Sequence, residues 1–404
     1  MDRRGFAAIG AACALALVVS ACADKSDDSS AGSGALKVGV LTSLSGSASA
    51  GFAGAEAGVK ARFAAYTEDK GKCSSRTVQV TTADDQSNAQ GALTSTQKLI
   101  QQDKVDALIE ISAFFYGAAP FATSTGKDIP IIGGGFDGAK QWNDTKNNLF
   151  PSSPVPQYDK TYSTIGDYFK QVGGTKVAGI AYQSPSSQAG LEAGLKSAEA
   201  VGLKRGYINT SVPFGSTDVG AIVLGIMKSG ADVVSLTINP DTAFAVVAGL
   251  RQAGYKPKAI LSATGYGADL LESAPAVQIG QGVTFSTGWA PAELKNAGTE
   301  RMSKALKDHA GSKSGIPSFS QAMGWLSADL LIHGLEKAGC NASQTKVISS
   351  LREDKTWTGD GLYASPRDFT TVSADKQCLY FLRMKGAAFA PEPNATPICG
   401  SIVK

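Results

Sequence analysis

Three clusters of hydroxyl-bearing and glycine residues follow apolar runs, where they could hold a small molecule. They are Thr42-Ser43-Leu44-Ser45-Gly46, Ser112-Ala113-Phe114-Phe115-Tyr116 and Gly133-Gly134-Gly135-Phe136-Asp137. Such loops offer backbone N–H groups and Ser hydroxyls to an anionic group, and a following helix adds the positive end of its dipole. The first cluster reads equally as a tight turn with solvated serines. Asp84-Asp85 is the best carboxylate pair for acid–base work, but Asp85 as the cap of a helix over 89–101 explains it more cheaply. His309 and His333 each stand alone in a helical pattern, which suits a structural histidine better than a metal ligand. The chain carries no GxSxG elbow, GxxxxGK(S/T) loop or HExxH helix, and no Cys/His pair at a catalytic spacing. It reads as a non-enzyme needing no cofactor or metal, with a hydrolase as the remote alternative.

The elements that position these clusters alternate regularly. Leu36, Val38, Val40 and Leu41 make a buried strand, and small residues at helical spacing follow from Phe52 to Phe63. Strands are expected over 77–81, 105–111 and 129–132, and the prolines at 151, 154 and 156 then break the pattern. The βα pattern restarts with strands over 175–182, 233–238, 259–262 and 283–285. Helices are expected over 187–200, 242–254 and 319–338, with Asp241 capping the second. The tail from 359 reads as short strands and turns. Alternation of this kind implies parallel sheets with right-handed crossovers, and ligands bind at the carboxyl ends of such strands.

At 404 residues, 43% hydrophobic and 18% charged, the chain has material for two or three domains with a large core. A net charge of +3 with no Lys/Arg run gives no reason to expect nucleic acid. The first 21 residues read as a signal peptide: Arg3-Arg4, then a short apolar stretch, then Val19-Ser20-Ala21-Cys22. Those last four residues resemble the lipobox of bacterial lipoproteins, which implies a diacylated Cys22 and anchoring to the membrane. A plain secretory cleavage leaving Cys22 free is the alternative. Arg3-Arg4-Gly5-Phe6 also resembles part of a twin-arginine export signal. Residues 22–35 are small and polar, as suits a flexible tether.

Outside the cytoplasm the remaining cysteines, Cys73, Cys340, Cys378 and Cys399, suggest two disulfides. Cys378 with Cys399 is favoured, because both lie near the end and a hairpin strand separates them. Cys73 with Cys340 follows by subtraction.

In order along the chain, several stretches resemble type I periplasmic binding proteins. They are VGVLTSLSG from Val38 to Gly46, Asp84-Asp85-Gln86 with a helix ending in Lys98-Leu99-Ile100, and Val105-Asp106-Ala107-Leu108-Ile109. Ser216-Thr217-Asp218 and Ser229-Gly230-Ala231-Asp232-Val233-Val234 look like the family's second half. More narrowly, residues 36–363 are similar to the branched-chain amino acid and amide-type solute receptors of ABC importers. The resemblance implies an α/β fold of two Rossmann-like lobes with parallel sheets. Three crossing segments, near 150–157, 286–290 and 358–364, would join them. Lobe 1 would comprise 36–152 and 290–358, and lobe 2 would comprise 153–289 and 359–404.

What the resemblance implies for function is a monomeric receptor in the cell envelope that closes on a small-molecule ligand and presents it to an ABC importer permease. An extracytoplasmic sensor subunit is the alternative. The ligand-binding residues it implies are Ser45, Ser112, Ala113, Phe114, Gly134, Gly135, Phe136, Tyr182, Asn239, Tyr266 and Trp289. Ser112 sits where relatives hold the ligand's carboxylate. Residues 134–136 depart from the amino acid receptors, which show Ala and Ser/Thr there, so side-chain oxygens for an α-ammonium are missing. A small acid, amide or aromatic compound is expected, not a sugar.

Overall fold

The structure is a computed structural model that describes residues 34–155, 160–371 and 376–403. The signal segment, Cys22 and most of the tether lie outside the described residues. Strands β1 (Leu36–Thr42), β2 (Val78–Asp84), β3 (Ala107–Ile111), β4 (Ile131–Gly133) and β5 (Leu149–Pro151) form one sheet, ordered β2-β1-β3-β4-β5. Every neighbouring pair in it is parallel. β1 and β3 are buried nearly throughout, Lys37 excepted, as expected of strands covered by helices on both faces.

One covering layer pairs the helix Ala55–Glu68 with the helix Phe319–Ala338. Their backbones meet at glycines: a Cβ on Gly58 would fall 2.1 Å from the Gln321 carbonyl, and one on Gly324 would fall 2.3 Å from that of Ala55. A capping box between Ser318 and Gln321 starts the longer helix where the sequence pattern begins.

A second sheet contains β6 (Lys176–Tyr182), β7 (Lys204–Val212), β8 (Val233–Thr237), β9 (Ala259–Ser262), β10 (Thr284–Thr287), β11 (Lys376–Lys385) and β12 (Ala388–Pro391), with β13 (Ile398–Ser401) paired to β11. Its order is β12-β11-β10-β9-β8-β6-β7. It is parallel from β7 to β10 and antiparallel beyond. The alternating βα pattern did mean two parallel-stranded lobes.

β7 is the strand that periodicity does not reveal. It is an edge strand, half-exposed along its length, so no apolar run marks it. Two expected caps also move by a few residues. Asn88, not Asp85, caps the helix Ala89–Gln97 by accepting from the Gly91 N–H at 2.8 Å. Asp241 lies in the first turn of the helix Pro240–Gln252, behind Asn239 at the cap position.

Three buried clusters make the cores. Leu362 and Phe369 belong to the cluster around the first sheet, and the Ala290 N–H donates to the Leu362 carbonyl at 2.7 Å. The chain through Phe369 thus packs on the core of the first sheet, a cluster that Tyr380 of β11 also joins. Edge-on packing of Phe369 against Phe150, 6.2 Å between ring centres, holds that stretch to the first lobe. A disulfide joins Cys73 to Cys340, and another joins Cys378 to Cys399, which stand opposite each other on β11 and β13.

Candidate ligand cleft

The carboxyl ends of β1, β3 and β4 face those of β6, β8 and β9 across a cavity of about 210 Å³. The first lobe supplies Phe52, Ala113, Phe136 and Phe319 to its wall. The second supplies Tyr182, Ser186, Ser187, Gly190, Phe214, Thr237, Ile238, Asn239, Ala263 and Thr264. Phe136 lies 5.9 Å from Phe52 and 5.2 Å from Phe319, ring centre to ring centre, which makes an apolar corner. Opposite it, Phe214 stacks on Tyr182 at 4.2 Å and also reaches Phe114 of the first lobe at 5.5 Å.

Four of the expected residues, Ala113, Phe136, Tyr182 and Asn239, line this cavity. Phe114 touches it only through Phe214. Gly134 and Gly135 form the turn behind Phe136: a Cβ on Gly134 would strike that ring, and Gly135 has φ +68°, a conformation that favours glycine. Tyr266 lines a smaller adjoining recess of about 30 Å³. Its hydroxyl donates to Glu293 Oε2 at 2.7 Å and accepts from the Ala292 N–H at 2.9 Å. Trp289 is buried in the first core, 6.2 Å from Phe319, and is not in the cavity wall.

The hydroxyls expected to meet a ligand are held by the chain's own carboxylates. Ser45 donates its Oγ–H to Asp84 Oδ2 at 2.5 Å, and the N–H groups of Leu44, Ser45 and Gln86 converge on Oδ1 at 2.9–3.2 Å. Burial alone would raise the Asp84 pKa, but these donors together hold it below the ordinary range. The anion that this loop cradles is thus Asp84.

Ser112 is fully buried and its hydroxyl donates to Asp85 Oδ2, while its Oγ accepts from the Phe114 N–H at 3.0 Å. Asp85 also accepts from the Ser87 N–H at 2.7 Å, and burial keeps its pKa raised. Behind the same loops lie Glu110 and Asp137, both fully buried. Burial first, and the nearby Asp137 second, push Glu110 well up, and burial lifts Asp137 to about 7 despite hydrogen bonds from Trp142 and Ala139. Glu110 Oε1 has no hydrogen-bond partner among the described residues.

In the second lobe the polar wall is held mainly by neutral groups, with the Tyr182 hydroxyl also 3.5 Å from Asp241 Oδ1. The Tyr182 hydroxyl donates to Thr242 Oγ1 at 2.8 Å and accepts from the Asn239 N–H at 3.2 Å, and burial pushes its pKa up to about 12. Ser187 donates to the Thr237 carbonyl, and Thr264 donates to the Ile238 carbonyl at 3.0 Å. His333 pairs with Asp354 at 2.9 Å and His309 with Glu68 at 3.0 Å, both away from the cleft. Among the described residues no cluster of His, Cys, Asp and Glu could hold a metal ion.

The sequence profile of the periplasmic binding protein family matches residues 35–388. The chain belongs to that family. No curated protein matches the sequence. Several solved structures share the fold of this binding protein. An ABC transporter solute-binding protein from R. palustris in complex with benzoate is 19% identical, with a TM-score of 0.72, covering 92% of this chain and 98% of that one. A fatty acid ABC transporter substrate-binding protein from Thermomonospora curvata is 18% identical, with a TM-score of 0.70, covering 90% and 93%. A branched chain amino acid ABC transporter protein from Thermus thermophilus with bound valine is 18% identical, with a TM-score of 0.72, covering 89% and 96%.

Sequence reasoning missed Phe52, Phe214 and Phe319 as wall residues. Phe214 follows the overlooked edge strand β7. Phe52 and Phe319 stand at helix ends, where an isolated large Phe among small residues in Gly51-Phe52-Ala53 or Ser318-Phe319-Ser320 was a usable signal.

Proposed function

We propose that this binding protein is a lipid-anchored extracytoplasmic receptor that captures a small molecule of largely apolar or aromatic surface. Closure of the two lobes traps the solute, and the closed form is handed to an ABC permease. The receptor acts as a monomer and performs no catalysis. Its first lobe comprises about residues 36–152 and 290–371, and its second comprises the remainder to 404. Cys22 carries the lipid, and residues 23–35 give the folded part its reach.

The observation that carries this reading is the aromatic cavity shared by the strand ends of both sheets. Largely apolar clefts with a few placed polar groups are the usual small-molecule site. Contacts that exist only when both walls meet favour the closed arrangement by the difference in affinity between the two states. Benzoate, fatty acid and valine, the ligands in the names of the similar structures, all present apolar surface.

The purified chain is incubated with the small-molecule pool of its culture medium, washed and denatured, and the released solutes are identified by mass spectrometry. Retention of a defined compound, with a smaller radius of gyration by X-ray scattering on adding it back, supports capture. A chain that retains nothing and keeps one scattering profile throughout overturns it.

A further inference from the structure

We infer that the solute of this cleft is uncharged, with an apolar body of about one ring or a short branched chain and one polar group that meets the Asn239 side-chain amide. This deepens the capture reading and rests on it.

No Lys, Arg, Asp or Glu lines the cavity. An ionised solute entering it would lose its hydration without meeting a counter-charge, a loss that a hydrocarbon wall cannot offset. A carboxylate faces a second obstacle on the first lobe. The Ser112 hydroxyl donates to Asp85, the Phe114 N–H to Ser112, and the Ser112 N–H to Glu110, so three donors beside Ala113 are already directed at acidic groups or at Ser112 itself. A carboxylate there would find those donors already taken and would sit beside carboxyl oxygens with no cation to balance it. An α-ammonium in the main cavity fares no better, because its wall holds no carboxylate; Asp269 lines only the small adjoining recess.

Asn239 differs from the other polar wall residues. Its backbone N–H donates to Tyr182, but no hydrogen bond among the described residues engages its side chain. The residue is 9% exposed and lies where the main cavity and the small recess meet. Across the gap, a Cβ built on Gly51 of the first lobe would stand 3.6 Å from both its Nδ2 and Oδ1. A buried amide with a free donor and a free acceptor matches a carbonyl, hydroxyl or carboxamide, none of which carries charge. An apolar cavity of roughly 150 Å³ holds a benzene ring, so about 210 Å³ leaves room for a ring with a short substituent.

The test compares matched shapes by calorimetry on the purified chain: benzamide, benzoate and phenylalanine, then 4-methylpentanamide, 4-methylpentanoate and leucine. Expected is that the uncharged member of at least one set binds at least tenfold tighter than its charged partners, and that Asn239→Ala weakens it at least tenfold. Circular dichroism confirms that the variant is folded, and the comparison on the natural chain stands without it. A charged member that binds tighter overturns the uncharged class and leaves solute capture standing. Unchanged affinity in a folded Asn239→Ala chain overturns the role of the amide. If no compound in either set binds at 10-fold excess over a millimolar Kd (roughly −4 kcal/mol), the inference fails in size and class together, while the retained-solute experiment still decides capture separately.

Discussion

The two walls of the cleft are built by opposite means. In the first lobe, Asp84, Asp85, Glu110 and Asp137 sit under the loops and gather their hydroxyls and N–H groups. In the second, Tyr182, Ser187 and Thr264 are tied mainly to hydroxyls and carbonyls, with one long contact of 3.5 Å between the Tyr182 hydroxyl and Asp241. A wall held by acids, three of them buried, has its shape set by protonation as well as by packing, whereas a wall held mainly by neutral groups depends far less on pH. The difference assigns rigidity and pH dependence to one side, and it leaves Asn239 on the other side as the adjustable contact.

The comparison is broken most forcefully at the disulfides. Each lobe has one, but their closed loops differ greatly, with sequence separations of 267 residues for Cys73–Cys340 and 21 for Cys378–Cys399. On loop-closure entropy, Cys73→Ser with Cys340→Ser destabilises by about 5 kcal/mol and the second pair by about 3 kcal/mol. Urea unfolding of the two double variants measures both, and equal losses would contradict the entropic account.

Next in size is pH. Glu110 and Asp137 have folded pKa values raised above their unfolded ones, so the stability they contribute is fully present below the ordinary carboxylate range. It is lost as pH rises through about 7, the value for Asp137. The first lobe is therefore expected to unfold at lower urea at pH 8 than at pH 5.5, by a difference on the order of a few kcal/mol. Asp137→Asn removes part of that dependence, and Asp137→Asn with Glu110→Gln flattens it. A profile that stays steep in the double variant places the titrating group elsewhere.

Smaller effects come from single hydroxyls. Ser112→Ala strips the buried Asp85 of a donor and is expected to cost about 1–3 kcal/mol of stability. Ser187→Ala removes a hydroxyl that donates to the Thr237 carbonyl and accepts from the Tyr182 N–H at 2.7 Å, main-chain groups of its own lobe, and is expected to cost about 1 kcal/mol, less than the loss at Ser112. Thermal unfolding of the pair ranks them, and a larger loss at Ser187 would reverse the assignment of rigidity. The smallest signal is optical. Trp289 is buried in the first core beside the crossing after β10, so its emission is expected to change little when a solute is added.

Much of this was legible in the chain. β1, β3 and β8 are buried on both faces, so their apolar runs are continuous, and the loops that end them lie in or just behind the cleft wall. Residues 134–136 departed from an amino acid receptor, and Phe136 does line an apolar corner. What stayed hidden depends on distant partners. Nothing near Ser45 in sequence says that Asp84, 39 residues on, will take its hydroxyl. Nothing near Ser112 points to Asp85, 27 residues back. β7 and Phe214 were missed together, because an exposed edge carries no periodic signal and the ring that follows it finds its neighbours only across the gap.

Phe214 has one more consequence. Its ring is carried by one lobe and rests on Phe114 of the other, so the attraction belongs to the polypeptide and acts whether or not cargo is present. An aromatic pair of this kind is worth about 0.5–1.5 kcal/mol, roughly a two- to tenfold bias toward the shut form. If the closed form is what a permease reads, as proposed, the strength of this single ring contact would set how often the chain shuts without cargo.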